Sequence, residues 1–116
     1  MKVAMMQPAF LPWQGYFELI YYSDCFIFLN DFQFSVQSHH QRNRLFTNHN
    51  QVDWYTVPVV KSSSFGANLD CVVINEAAPW RKKILNRLQH NYSRAAFFGD
   101  IFPIIEKCLG PRTINL

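Results

Sequence analysis

Long hydrophobic runs are missing: no window of the 116-residue chain approaches the roughly eighteen unbroken apolar residues of a membrane span, so no membrane partner is expected. The opening Met-Lys-Val-Ala-Met-Met-Gln-Pro also lacks the apolar stretch of a signal peptide. Cysteine is scarce: the three, Cys25, Cys71 and Cys108, are odd in number, widely spaced and without a Cys-x-x-Cys pair. A disulfide framework is therefore not expected, and the natural inference is a reducing, cytoplasmic compartment. Cys25 in Cys-Phe-Ile-Phe-Leu and Cys71 in Asp-Cys-Val-Val-Ile read as small core residues. The four glycines are too scattered to cradle a phosphate, and GxGxxG, GxxxxGK and GxSxG patterns are absent. No cofactor is expected. Excess charge is small: eleven Lys and Arg against eight Asp and Glu leave +3, short of what tracking a nucleic-acid backbone requires. That balance suits a small anionic ligand and an ordinary solvated surface equally well.

What is abundant is aromatic: eleven Phe, five Tyr and three Trp, in a chain whose length has room for one domain, 1–116. Large rings supply much buried area per residue, which a short chain needs. Lys2 to Met6 reads as a buried strand stopped by Gln7-Pro8, and Pro8 and Pro12 force an extended loop. From Gly15 the spacing predicts a helix with Phe17, Ile20 and Tyr21 on its inner face, ended by Ser23-Asp24. Cys25 to Leu29 is a second apolar run, so the opening is a βαβ unit. Arg44–Thr47 and Val52–Val60 read as a hairpin joined by Asn48–Gln51, followed by a flexible connector at Ser62–Gly66 and a strand over Leu69–Ile74. Pro79 introduces a helix over Trp80–Tyr92, with Trp80, Ile84, Leu85 and Leu88 at core spacing and Lys83, Arg87, His90 and Arg94 on another side. A short helix, Ile101–Leu109, is closed by Gly110-Pro111. The fold class is α/β: a strand-helix-strand start, a small hairpin insertion and C-terminal helices.

Metal and nucleophile chemistry are thinly supported. His39 and His40 are adjacent, so they point to opposite faces of a strand or about 100° apart on a helix, and solvated histidines are the plainer reading. No metal is expected, since no Cys or carboxylate stands at ligand spacing. The loop Gln7 to Tyr16 is more informative. It lies at the carboxyl end of the first strand, just before a helix, which is the rim where open α/β sheets bind ligands. There Gln7, Trp13 and Tyr16 offer polar tips and stacking faces. A second cluster is Arg42, Asn43 and Arg44: on an extended segment the two arginines face the same side, with planar donors matched to phosphate or carboxylate. An exposed basic strand edge explains that cluster equally well.

In order along the chain, these segments resemble the WbqC-like family. The resemblance rests on the opening Met6-Gln7-Pro8-Ala9-Phe10-Leu11-Pro12-Trp13-Gln14-Gly15-Tyr16 and on the strand running into Asn30-Asp31-Phe32-Gln33-Phe34. It continues through Gln41-Arg42-Asn43-Arg44-Leu45, the Trp54-Tyr55-Thr56-Val57-Pro58-Val59 strand, and the helix from Trp80-Arg81-Lys82-Lys83 to Tyr92. It implies a cytoplasmic protein encoded among genes for O-antigen or similar surface glycans, and no settled reaction. It also implies that the chain corresponds to the N-terminal half of a longer protein, because members run on through a Ser-Ser element and a Gly/Tyr-rich segment. A fainter likeness sets Trp13-Gln14-Gly15-Tyr16-Phe17-Glu18-Leu19-Ile20 on the HxGHxxLI pattern of the nucleotidylyltransferase-like, Rossmann-type fold. Trp13 and Tyr16 stand where that family has phosphate-binding imidazoles.

The functional expectation is a protein of surface-glycan biosynthesis acting on a nucleotide-linked or amino sugar. If it is an enzyme, the resemblance implies a transferase of acyl, aminoacyl or nucleotidyl type. The alternative is a non-catalytic binding or scaffolding protein of the same pathway, expected to form a homodimer. The expected pocket brings Gln7, Trp13, Tyr16, Asp31 and Gln33 together, because neighbouring parallel strands share one carboxyl rim, with Arg42 and Arg44 at its margin. Trp13 then stacks on a base or sugar ring, Gln7 and Asp31 hold hydroxyls, and the arginines meet phosphate.

Overall fold

Residues 1–110 are described by the computed structural model of the chain. Strand β1 (Val3–Met6) runs parallel to β2 (Cys25–Phe28), with Val3 opposite Cys25 and Met6 opposite Phe28. The pairing continues past the strands at both ends. Leu29 N–H donates to the Met6 carbonyl at 2.9 Å, and Asp24 N–H donates to Lys2 O at 2.8 Å. Helix α1 (Gln14–Tyr22) crosses between them, so the expected βαβ unit is present. Among the described residues the parallel part amounts to that one unit, in a two-stranded sheet.

The inward residue of α1 is Tyr16, not the expected Phe17, Ile20 and Tyr21. Tyr16 is buried at 3% exposure with its ring 5.6 Å from Phe26, whereas Phe17, Ile20 and Tyr21 are exposed. Adjacent apolar pairs, Tyr16-Phe17 and Ile20-Tyr21, let a helical stripe be drawn through either member. The sheet side that α1 does not cover carries Val3, Met5, Cys25 and Ile27, all exposed. Cys25 is thus not a core residue, and neither is Cys71.

A second sheet pairs β3 (Arg42–Phe46) antiparallel with β4 (Val52–Thr56). The connecting loop is one residue tighter than Asn48–Gln51. Thr47 N–H reaches the Gln51 carbonyl at 2.7 Å and Asn50 takes φ 57°, a left-handed conformation Asn tolerates. One residue of register decides which side chains share a face. Here Arg44 stands opposite Trp54, and Asn43 opposite Tyr55. The strand stops at Thr56 rather than Val60, and Val59 makes only an isolated bridge to Ile74. The expected connector at Ser62–Gly66 begins as a helical turn, α2 (Lys61–Ser64). The expected strand over Leu69–Ile74 opens instead as a 3-10 turn at Leu69–Cys71, because Leu69 and Val72 are both pulled under Phe34 in a small cluster.

The main core lies between the hairpin and the C-terminal helices, α3 (Trp80–Tyr92) and α4 (Phe98–Leu109). Tyr55, Val57 and Ile74 pack with Trp80, Ile84 and Leu88, and Phe102, Ile105 and Leu109 of α4 close one side. Arg81 ties the two helices: it pairs with Glu76 at 2.5 Å and donates to the Leu109 carbonyl at 2.8 Å, a cation where a helix C-terminus favours one. Arg87 is not part of a free basic face, since it pairs with Asp53 and its guanidinium lies 4.0 Å over the Tyr55 ring. Helix α4 begins three residues before the expected Ile101, with Phe98 and Phe102 stacked at 4.7 Å one turn apart. Of the expected Gly110-Pro111 stop, Pro111 lies outside the described residues. Among the described residues no helix is long and apolar enough to cross a membrane.

Candidate functional site

Pro8 ends β1 and the chain leaves its carboxyl end as an extended loop whose course is set by apolar anchors. Phe10 and Leu11 pack against the main core, and Leu11 takes φ 44°. Polar ties fix the loop both to β3 and to the segment before it. Phe10 N–H donates to the His39 carbonyl at 3.0 Å, the Asn43 amide donates to the Leu11 carbonyl at 2.8 Å, and His40 Nε2 lies 2.6 Å from Gln7 Oε1. With Phe10 and Leu11 turned inward, Trp13 is left outside, 54% exposed. Its indole meets the buried Tyr16 edge-on at 5.6 Å.

Between the loop and the segment from Ser35 to His40 lies a cleft of about 310 Å³. Gln7, Pro8 and Trp13 form one wall and Ser38, His39 and His40 the other, with Tyr16 of α1 between them. A second hollow of about 400 Å³ adjoins it, sharing Ala9, Trp13 and His39 and reaching Asn43. The size is that of a small-molecule site, and an aromatic body with a few fixed polar groups is the usual lining. Among the described residues no carboxylate lines either hollow.

The polar groups are held on both sides. Tyr16 Oη donates to the Gln7 main-chain carbonyl at 3.0 Å, and burial pushes the Tyr16 phenol above its ordinary pKa, so it stays a donor. Burial also holds the His40 imidazole below the ordinary 6.5, favouring the neutral ring. Beyond His39 the surface becomes cationic. The His39 ring is 6.3 Å from Trp54, and Trp54 carries Arg42 at 4.0 Å and Arg44 at 5.4 Å over its face. The two arginines share a side of β3, and the hairpin register supplies the ring between them.

The structure therefore brings together Gln7, Trp13 and Tyr16, places Asn43 at the adjoining hollow, and sets Arg42 and Arg44 beside it on Trp54. Asn43 acts as the tether of the loop, its amide already donating to Leu11. Asp31 and Gln33 line neither hollow. The chain after β2 is drawn the other way, as Leu69 N–H bonds the Phe32 carbonyl, Gln33 bridges Asn68, and Phe34 is buried against Leu69 and Val72. His39, His40 and Trp54 are not expected from the sequence as residues of a ligand site: the histidines are weighed there only as metal ligands, and Trp54 only as part of a strand. The histidine doublet read as solvated because neither periodicity placed it. Trp54 enters only through the register, which the positive φ of Asn50 fixes. Among the described residues no three His, Cys, Asp or Glu side chains come together.

These features define an α/β domain with a loop-rimmed cleft at the carboxyl end of its first parallel strand. Residues 7–116 match the WbqC-like protein family, and the chain belongs to that family. It is also similar to the uncharacterized protein Rv1507c of Mycobacterium tuberculosis (strain ATCC 25618 / H37Rv), with 37% identity over 100 residues, covering 86% of this chain and 42% of that protein. The chain thus spans less than half the length of that relative. No solved structure matches.

Proposed function

We propose that this domain binds a nucleotide-linked or amino sugar in the biosynthesis of bacterial surface glycans in the cytoplasm. The observation that supports this reading is the convergence of Gln7, Trp13, Tyr16 and His40 on one cleft, with the Arg42–Trp54–Arg44 strip beside it. In the proposed complex a sugar or base lies against Trp13, and the guanidiniums meet phosphate, for which their planar donors are suited. The transferase form of the reading, with acyl, aminoacyl or nucleotidyl transfer, draws on the family setting alone. Calorimetric titration of this chain and of a full-length family member with a panel of nucleotide sugars and amino sugars tests the proposal. Binding of at least one class is expected; no binding by the full-length protein anywhere in the panel removes it.

A second reading, a non-catalytic scaffold that forms a homodimer, draws support from the exposed apolar sheet face of Val3, Met5 and Ile27. Light scattering behind size exclusion separates the two. A stable dimer supports the scaffold, and a strict monomer counts against it.

A further inference from the structure

We infer that His40 is a positioning residue that fixes which end of the Gln7 carboxamide faces the cleft, so that the site presents a donor there and selects an acceptor oxygen on its ligand. The inference rests on the ligand-binding reading above and narrows it to one part of the ligand.

The argument turns on proton placement. His40 Nε2 is 2.6 Å from Gln7 Oε1, while His40 Nδ1 is buried and has no hydrogen-bond partner among the described residues. A neutral imidazole carries one proton, on one of these two nitrogens. Were the carboxamide reversed, with its NH2 toward His40, Nε2 would have to accept and Nδ1 would carry the proton. That would leave a buried N–H with nothing to bond, and orphaned buried donors are rarer than orphaned acceptors. With Oε1 toward His40, Nε2–H donates and Nδ1 keeps only a lone pair. The ring stays neutral because burial disfavours its charged form. The other titratable groups around the cleft are His39 from the same segment and Tyr16 from α1. Phe34 lies alongside the His40 ring, centroids 6.0 Å apart.

Gln7 is thereby held twice, through its side-chain oxygen by His40 and through its main-chain carbonyl by Tyr16 at 3.0 Å. No hydrogen bond from its amide nitrogen is present among the described residues, and Gln7 lines the cleft, so two N–H donors are open to a ligand there. The strongly basic oxygens of a phosphate, carboxylate or acyl carbonyl satisfy them best, ahead of a sugar's ether or hydroxyl oxygens. An ammonium does not, and among the described residues no carboxylate lines the cleft to offset its charge. The group held at Gln7 is therefore the phosphate or acyl part of the ligand rather than a free sugar amine.

Long-range nitrogen-15 NMR of the full chain tests this directly. His40 should show the Nε2–H tautomer at neutral pH and resist protonation below the ordinary 6.5. In Gln7→Glu the new carboxylate still accepts from Nε2–H, so the His40 pKa should rise above its wild-type position. An Nδ1–H tautomer, or a His40 titration unmoved by Gln7→Glu, overturns the inference whether or not any ligand binds. With uridine diphosphate and glucosamine as probes, the Gln7 side-chain amide resonances should move with the diphosphate only. Movement with glucosamine alone also overturns it. Failure of both probes with the expected tautomer counts against the ligand-binding reading and leaves the positioning of Gln7 supported.

Discussion

The indole of Trp13 lies over Gly15, where any β-carbon would meet its Nε1. Gly15 sits in the first turn of α1, where alanine is favoured over glycine by up to about 1 kcal/mol. Gly15→Ala should therefore leave Tm unchanged or raised while displacing the ring, seen as a shift of the Trp13 indole N–H resonance. An unmoved resonance would show that the ring does not rest there. His40 gives a pH prediction at the same scale. Its folded pKa is lowered from 6.5, so its contribution to stability is intact above 6.5. That contribution is lost as pH falls from 6.5 through the folded value, because the unfolded chain takes up the proton first. Urea midpoints should fall over this window in the wild type, and the fall should be smaller in His40→Gln.

Between elements, the loop after β1 is held to β3 chiefly by the Asn43 amide on Leu11. Asn43→Asp turns that donor into an acceptor facing a carbonyl, at a cost of about 1–3 kcal/mol. The Phe10 amide, bonded to the His39 carbonyl, should then exchange faster with deuterium, while amides in α3 keep their protection. The element order of this region was legible in the sequence where one pattern dominated: the apolar runs of β1 and β2, the Pro-bounded loop, and the core stripe of Trp80, Ile84 and Leu88. It was not legible where two patterns fitted equally. The paired aromatics of α1 hid which stripe faces inward. The one-residue choice in the hairpin loop hid the placing of Trp54 between the arginines. Asp31 and Gln33 were misplaced because the pull on Phe34 comes from Leu69 and Val72, a contact distant in sequence that no local periodicity reveals.

Across the whole molecule, the radius of gyration is 15.1 Å, where about 13 Å is usual for a compact chain of this order of length. Parallel sheets ordinarily have both faces covered, whereas the βαβ unit shows Val3, Met5 and Ile27 to solvent. Met5→Lys with Ile27→Lys should change unfolding free energy by no more than about 1 kcal/mol and reduce binding of a hydrophobic dye. A large loss of stability would mean that the face is covered in solution. The cleft stands apart from that bare face, on the rim where the loop, α1 and the histidine segment meet. Trp13 is 54% exposed and belongs to neither core cluster, so its removal should affect ligand and not fold. The most direct measurement is calorimetric affinity for a nucleotide sugar that binds the wild-type chain, repeated with Trp13→Ala. A loss of about tenfold or more at unchanged Tm is the predicted result, since a ring stacked on an aromatic side chain contributes about 1–3 kcal/mol. An affinity unchanged by Trp13→Ala would contradict the account and put the ligand elsewhere.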